Sequence, residues 1–325
     1  MKRITRWLLG LMIVLVMSIP AMTARAETTI VAYVGANGAT GAVECTVVGE
    51  TSSLIGGNDS PTGGWYAVTE DVTFSGSVMI NYDVNLILCD GATLTANDGI
   101  WVKTNSRLTI WAQSTGDGMG RIVSTGSRGK AGIGGVKDNN NGTVVINGGH
   151  IEATGGNYAA GIGGGEYSNG GAITINGGDI TAVGNLGGAG IGGGQKGSSG
   201  VIVINGGNVD TKSIAGNPPG IGSYAAAGIG PGDDAHYINL TINGGRVTAD
   251  STHGAAAGIG SARSEDINGT VTVNGGYVKA IGRWGYEYNE YRYGCAAIGA
   301  GYYGNASGLT VNITGGDLYL STKGG

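Results

Sequence analysis

Thr143-Val144-Val145-Ile146-Asn147-Gly148-Gly149-His150-Ile151-Glu152-Ala153-Thr154, followed after five further residues by Ala160-Gly161-Ile162-Gly163, is the unit that the rest of the chain varies. Apolar side chains stand at every second place, Val144 and Ile146 and then Ile151 and Ala153, with His150, Glu152 and Thr154 beside them. Such alternation marks strands that bury one face. The run into Asn-Gly-Gly returns at Asn176-Gly177-Gly178, Asn205-Gly206-Gly207, Asn243-Gly244-Gly245 and Asn274-Gly275-Gly276, and closes in a degenerate Thr314-Gly315-Gly316. Successive copies are spaced by 29, 29, 38, 31 and 40 residues. A Gly-Ile-Gly element lies between them, around Ile133, Ile162, Ile191, Ile229 and Ile259, and as Ala297-Ile298-Gly299.

Each copy therefore holds three short strands, near 143–147, 150–154 and 160–163 in the first, separated by glycine turns that admit positive φ at no steric cost. No such strand can bury its apolar face alone. Stacking equivalent strands about 4.8 Å apart builds parallel sheets around a narrow core of Ile, Val and Ala. The expected fold is all-β, a single-stranded right-handed parallel β-helix with three short strands per rung. A propeller blade needs four strands in about 40–45 residues, and a 29-residue step is too short for it.

Composition agrees. Glycine supplies 69 of 325 residues and charged residues only 13%. Glycine without a three-residue period and with five prolines is not collagen, and it is unsuited to a helical bundle because each interior Gly costs a helix about 1 kcal/mol relative to Ala. The excess is uneven: residues 27–115 hold eleven glycines and the following 210 positions hold 57. Residues 27–115 keep the alternation, as in Val84 to Cys89 and Leu108 to Trp111, and read as an N-terminal cap with the first short rungs. Residues 116–325 are the glycine-rich β-helix repeats.

Residues 1–26 read as a signal peptide, with Lys2, Arg3 and Arg6 ahead of an apolar run from Trp7 to Met17 and a small-x-small site at Ala24-Arg25-Ala26. The expected location is outside a bacterial cell, secreted or on its surface. No later stretch is apolar for long enough to span a bilayer. Removing the leader takes four of 18 basic residues and none of 23 acids, a balance of −9, and a chain of that sign without basic clusters has no footprint for nucleic acid. Export permits disulfides. Cys45 and Cys89 share the N-terminal segment and are a candidate pair, or all three cysteines, with Cys295, are small buried apolar residues. No Cys/His spacing points to a metal site.

With its Asn-Gly-Gly-x-Ile-x-Ala and Ala-Gly-Ile-Gly units, and a lead-in containing Gly64-Trp65-Tyr66-Ala67-Val68 and Leu108-Thr109-Ile110-Trp111, the chain resembles the right-handed β-helices of the pectate-lyase-like superfamily. More closely, it resembles glycine-rich secreted β-helix proteins of bacterial surfaces. The resemblance covers nearly all of residues 27–325 and is specific for fold; it implies little about activity, because one fold hosts many functions.

Asn147, Asn176, Asn205, Asn243 and Asn274 form one column, read as a structural ladder of side-chain amides rather than a ligand stripe. The superfamily includes polysaccharide hydrolases and lyases, so Asn208-Val209-Asp210, Gly232-Asp233-Asp234 and His253-Gly254 are candidate catalytic fragments. Their three different phases in the repeat place them at different points around the coil, and an enzyme is the lesser reading. Acids alternate with threonine in the column Glu152, Thr181, Asp210, Thr248 and Lys279, a face that offers at most a weak Ca²⁺ site and implies no other cofactor. The densest anomaly is Trp284, Tyr286, Tyr288, Tyr291, Tyr293, Tyr302 and Tyr303, seven of 21 aromatics within 20 residues, with Arg283, Glu287, Glu290 and Arg292 among them. Aromatic faces with polar neighbours suit stacking on sugar rings, and the same residues suit a cap over the solenoid end. The expectation is a non-catalytic carbohydrate-binding or adhesive module whose partner is a polysaccharide or cell-surface glycan. The rivals are a polysaccharide-active enzyme and a purely structural surface protein.

Overall fold

The structure is a computed structural model, and it describes residues 27–35, 38–49, 63–215, 224–252, 255–263, 265–283 and 294–323. Among these residues every regular element is a β-strand, and the strands lie in three sheets of eleven, nine and eight strands. The chain visits the sheets in a fixed order. In one coil Thr143–Ile146 joins the eleven-stranded sheet, His150–Asn157 the nine-stranded sheet and Ile162–Gly163 the eight-stranded sheet, before Ala172–Ile175 returns to the first sheet beside its predecessor. Pairing between coils is parallel and keeps the sequence columns in register: Val144 with Ile173, Ile151 with Ile180 and Ile162 with Ile191. The coil is a right-handed parallel β-helix, the sense taken by crossovers between parallel strands. Eight full coils are followed by a ninth that ends, among the described residues, after its second strand.

The core is the set of inward columns. Leu108, Val144, Ile173, Ile202, Leu240 and Val271 form one of them, and Ile122, Ile151, Ile180, Val209, Val247 and Val278 another, all at 0–1% exposure. Burying each such side chain is worth roughly 1.5–3 kcal/mol. Ala153, Ala182, Ala249 and Ala280 fill the next column, with Thr211 buried between Ala182 and Ala249.

The third strand is shorter than the alternation alone implies, two residues in each glycine-rich coil. Its glycine column, from Gly134 through Gly163, Gly192, Gly230 and Gly260 to Gly299, has φ between +135° and +156°. A Cβ at Gly163 would run into the carbonyl of Gly192, and one at Gly192 into that of Gly230. Backbones of neighbouring coils touch here with no side chain between them, and only glycine fits.

The Asn-Gly-Gly corner is held differently. Each asparagine donates its side-chain amide to the Oδ1 one coil earlier, Asn176 to Asn147 and Asn243 to Asn205 at 2.8 Å, Asn205 to Asn176 at 2.7 Å and Asn274 to Asn243 at 2.8 Å. Thr314 takes the sixth place, its hydroxyl donating to Asn274 Oδ1 at 2.8 Å.

Regular coils begin at Gly64–Val68. Ahead of them Thr28–Val34 and Thr40–Val47 pair antiparallel as a hairpin, which joins the first coil through Thr46 beside Tyr66 and touches the third through Val34 beside Ala112. The rings of Tyr33, Trp65 and Trp111 pack together with centroids 4.9–5.6 Å apart. Cys45, Cys89 and Cys295 are all buried free thiols, with no bond between Cys45 and Cys89. Burial pushes Cys45 up to about 11 and Cys295 up to about 12.

Candidate functional site

Two corner loops flank the short third strand, an entry corner before it (155–160 in the second glycine-rich coil) and an exit corner after it (164–171). Backbone hydrogen bonds clamp the corners together: Glu166 N–H to Gly129 O at 3.1 Å, Gln195 N–H to Tyr158 O at 3.0 Å and Asp233 N–H to Gly187 O at 2.9 Å. Among the described residues the exit corner turns through one left-handed residue, five places after Ile133, Ile162, Ile191, Ile229 and Ile298. These residues are Asp138, Tyr167, Lys196, Asp234 and Tyr303, with φ between +60° and +63°. Their amides bond forward to the next coil, Asp138 to Glu166 O, Tyr167 to Gln195 O and Lys196 to Asp233 O. Any side chain at this place is thus set on a fixed ladder, one coil spacing from the next, and stands outward.

Along this ladder the protein displays aromatic rings. Tyr167 and Tyr303 stand on it, 43% and 71% exposed, and Tyr224, on the neighbouring entry corner, is 43% exposed. The Tyr167 ring lies between two cations, with Lys137 Nζ 4.8 Å and Lys196 Nζ 5.5 Å from its centroid, distances at which a cation is held by the ring quadrupole. On the entry corner the Tyr158 and Tyr224 rings meet edge to face at 5.4 Å, and the Arg128 guanidinium sits 5.2 Å from Tyr158. Tyr302 and Tyr303 lie 3.9 Å apart at 31°.

The flanking carboxylates divide the stripe by charge. In its early coils the cations are paired: Lys137 with Glu166 at 3.1 Å, which holds the ammonium above its usual range, and Lys196 with Asp234 at 3.8 Å. Later coils gather Asp233, Asp234, Glu265 and Asp266 around His236 and Arg263. Burial, and next the charge of Asp234, raise Asp233 to about 7, against a hydrogen bond from Gln195. Burial likewise raises Glu265, although His236 approaches its Oε2 at 3.0 Å and opposes the shift. Among the described residues no three His, Cys, Asp or Glu side chains gather as a metal site.

Of the seven aromatics singled out in the sequence, Tyr302 and Tyr303 stand on this stripe, while Trp284, Tyr286, Tyr288, Tyr291 and Tyr293 lie outside the described residues. Arg283 is tied into the outward face of the nine-stranded sheet by Asp250, through Nε–Oδ1 at 2.6 Å and Nη2–Oδ2 at 2.7 Å. Asp210 lies on that same face, 3.5 Å from Lys212, whereas Asp233 and Asp234 belong to the exit corner, and His253 is outside the described residues. Glu152, Thr181, Asp210, Thr248 and Lys279 do form one column across the sheet, with Glu152 paired to Arg121 at 2.9 Å. Tyr158, Tyr167 and Tyr224 were missed. The signal for Tyr167 was its phase, shared with Tyr303 relative to the Gly-Ile-Gly unit.

Four segments, residues 144–166, 173–195, 240–263 and 271–302, match the family model described as beta helix repeat. The chain is a parallel β-helix. Each matched segment of this β-helix starts in the eleven-stranded sheet and runs through the third strand into the exit corner, and three of them end one residue before Tyr167, Lys196 and Tyr303. The unmatched coil between them is one of the two longest, with a step of 38. No curated protein and no solved structure matches the chain. Among the described residues no helix is long and apolar enough to cross a membrane.

Proposed function

We propose that the protein is a secreted or surface-displayed, non-catalytic glycan-binding module, and that the tyrosine-bearing corner stripe of the β-helix is its binding surface. One observation carries this reading: the exposed ring of Tyr167, held at a fixed point of a backbone ladder between Lys137 and Lys196, with further tyrosines on the same side. An aromatic face offers apolar area to the C–H face of a pyranose, and the ammonium groups and neighbouring carboxylates supply donors and acceptors for its hydroxyls. The groups are presented by rigid stacked corners, so little ordering entropy is lost on binding. Asp210 stands on the nine-stranded sheet and Asp233 and Asp234 at the exit corner, so these two candidate fragments do not converge, and the reading needs no reaction at the stripe. The test is isothermal titration with soluble polysaccharides: the wild-type protein gives heat with at least one, and Tyr167→Ala weakens that binding about tenfold, the loss of one stacked ring. No heat with any glycan tested sinks the proposal.

A further inference from the structure

The asparagine ladder has a direction. Thr314 donates to Asn274, Asn274 to Asn243, Asn243 to Asn205, Asn205 to Asn176 and Asn176 to Asn147, so every bond runs the same way. An amide that accepts a hydrogen bond at its oxygen becomes a better donor at its nitrogen, and a one-way chain gathers donor strength at its head. That head is Asn147. One coil earlier the place after Ile110 is held by Trp111, whose ring packs on Tyr33 and whose Nε1 donates to Asn85 Oδ1 at 3.2 Å. Among the described residues the Asn147 amide nitrogen meets no acceptor.

Asn147 lines a cavity of about 440 Å³ at the corner between the eleven-stranded and nine-stranded sheets, a size usual for small-molecule sites. Val34, Ala112 and Met119 give the cavity apolar surface, and Gly178 and Gly207 bring bare backbone to it. Gly149 N–H, at the same place one coil before Gly178, donates to Met119 Sγ at 3.4 Å, a weak acceptor. The N–H groups of Gly178 and Gly207 meet no acceptor among the described residues. Asp179 is the charged residue of the lining; His150 Nδ1 approaches its Oδ2 at 3.3 Å, and its Oδ1 meets no donor among the described residues. The cavity thus sets unmatched N–H donors beside a carboxylate. A simple anion would face Asp179, and a simple cation would leave the donors unmatched. A carboxylate and an ammonium carried on one carbon satisfy both.

We propose that this cavity binds a free α-amino acid. The ligand carboxylate accepts from Asn147 Nδ2 and from the corner N–H groups, its ammonium donates to Asp179 Oδ1, and its side chain lies against Val34, Ala112 and Met119. The site is on a different corner of the coil from the tyrosine stripe and stands independently of it.

Isothermal titration of the full-length protein with a panel of free L-amino acids tests this, with the N-acetyl and C-terminal amide derivative of each as separate titrants. At least one free amino acid is expected to saturate a single site. Blocking either its amine or its carboxylate removes a charge-assisted hydrogen bond and weakens binding on the order of tenfold. Asn147→Asp keeps an oxygen to accept from Asn176 and sets a second oxygen where the amide nitrogen stood, so binding is abolished while the ladder bond stays. Asp179→Asn, at a half-exposed corner position, weakens binding on the order of tenfold, and its melting curve confirms that it is folded. No heat with any free amino acid, equal binding of free and blocked forms, or unchanged affinity in Asp179→Asn overturns the proposal.

Discussion

Replacing Gly192 with alanine probes the backbone contact of the third-strand glycine column. Gly192 has φ +135°, a conformation that costs an L-residue on the order of 1–3 kcal/mol. The new Cβ also points into the carbonyl of Gly230 in the next coil, and that atom is backbone and cannot swing aside. Relieving the overlap parts the two coils locally, at the expense of Gly193 N–H to Gly230 O and Ile191 N–H to Gly228 O, both at 3.0 Å. Each such bond is worth about 1 kcal/mol net. The expected loss is about 4 kcal/mol, or roughly 8 °C in melting temperature for a chain of this size. Thr181→Ala, on the exposed face of the nine-stranded sheet, adds no contact and should stay within about 0.5 kcal/mol of wild type. Thermal unfolding by circular dichroism measures both, and hydrogen exchange at Ile191 and Gly193 reports the local parting. A Gly192→Ala protein that melts with the wild type refutes backbone-to-backbone contact at this column.

Other outcomes follow from the same packing. Asn205→Ala removes two amide bonds of the corner ladder, to Asn176 at 2.7 Å and from Asn243 at 2.8 Å; water replaces them in part at this exposed corner, so the melting temperature falls by about 2 °C. Asp233, raised to about 7 in the fold, holds a proton there that it releases once unfolded. Its contribution is therefore fully present below the unfolded carboxylate range and is lost as pH rises through about 7. Urea midpoints at about pH 5 and about pH 8 should differ in that direction, and Asp233→Asn should shrink the difference. Thiol titration in denaturant without reductant should count three free thiols per chain, against one if Cys45 and Cys89 are bridged; in the folded protein Cys295 should not react, because burial holds its thiol protonated at about 12.

The coil was legible because its core is periodic in both directions. Val144 and Ile146 alternate along a strand, and the same pair recurs 29 residues on as Ile173 and Ile175, so one alignment exposed both strand direction and stacking. The asparagine column was legible for the same reason. Less could be read at the corners around the third strand. Asp138, Tyr167, Lys196, Asp234 and Tyr303 share a backbone conformation and no chemistry, so no composition signal links them. The density of aromatics along the chain points to 284–303; Tyr158, Tyr167 and Tyr224, scattered in sequence, come together only because corners from different coils pack against one another.

If the stripe, rather than the flat sheets, meets the ligand, a glycan array probed with the wild-type protein beside Tyr167→Ala and Thr181→Ala shows it most directly. A defined set of glycans is expected to bind the wild type and Thr181→Ala and to be lost with Tyr167→Ala. Binding that survives Tyr167→Ala and disappears with Thr181→Ala would place the ligand on the nine-stranded sheet and contradict it.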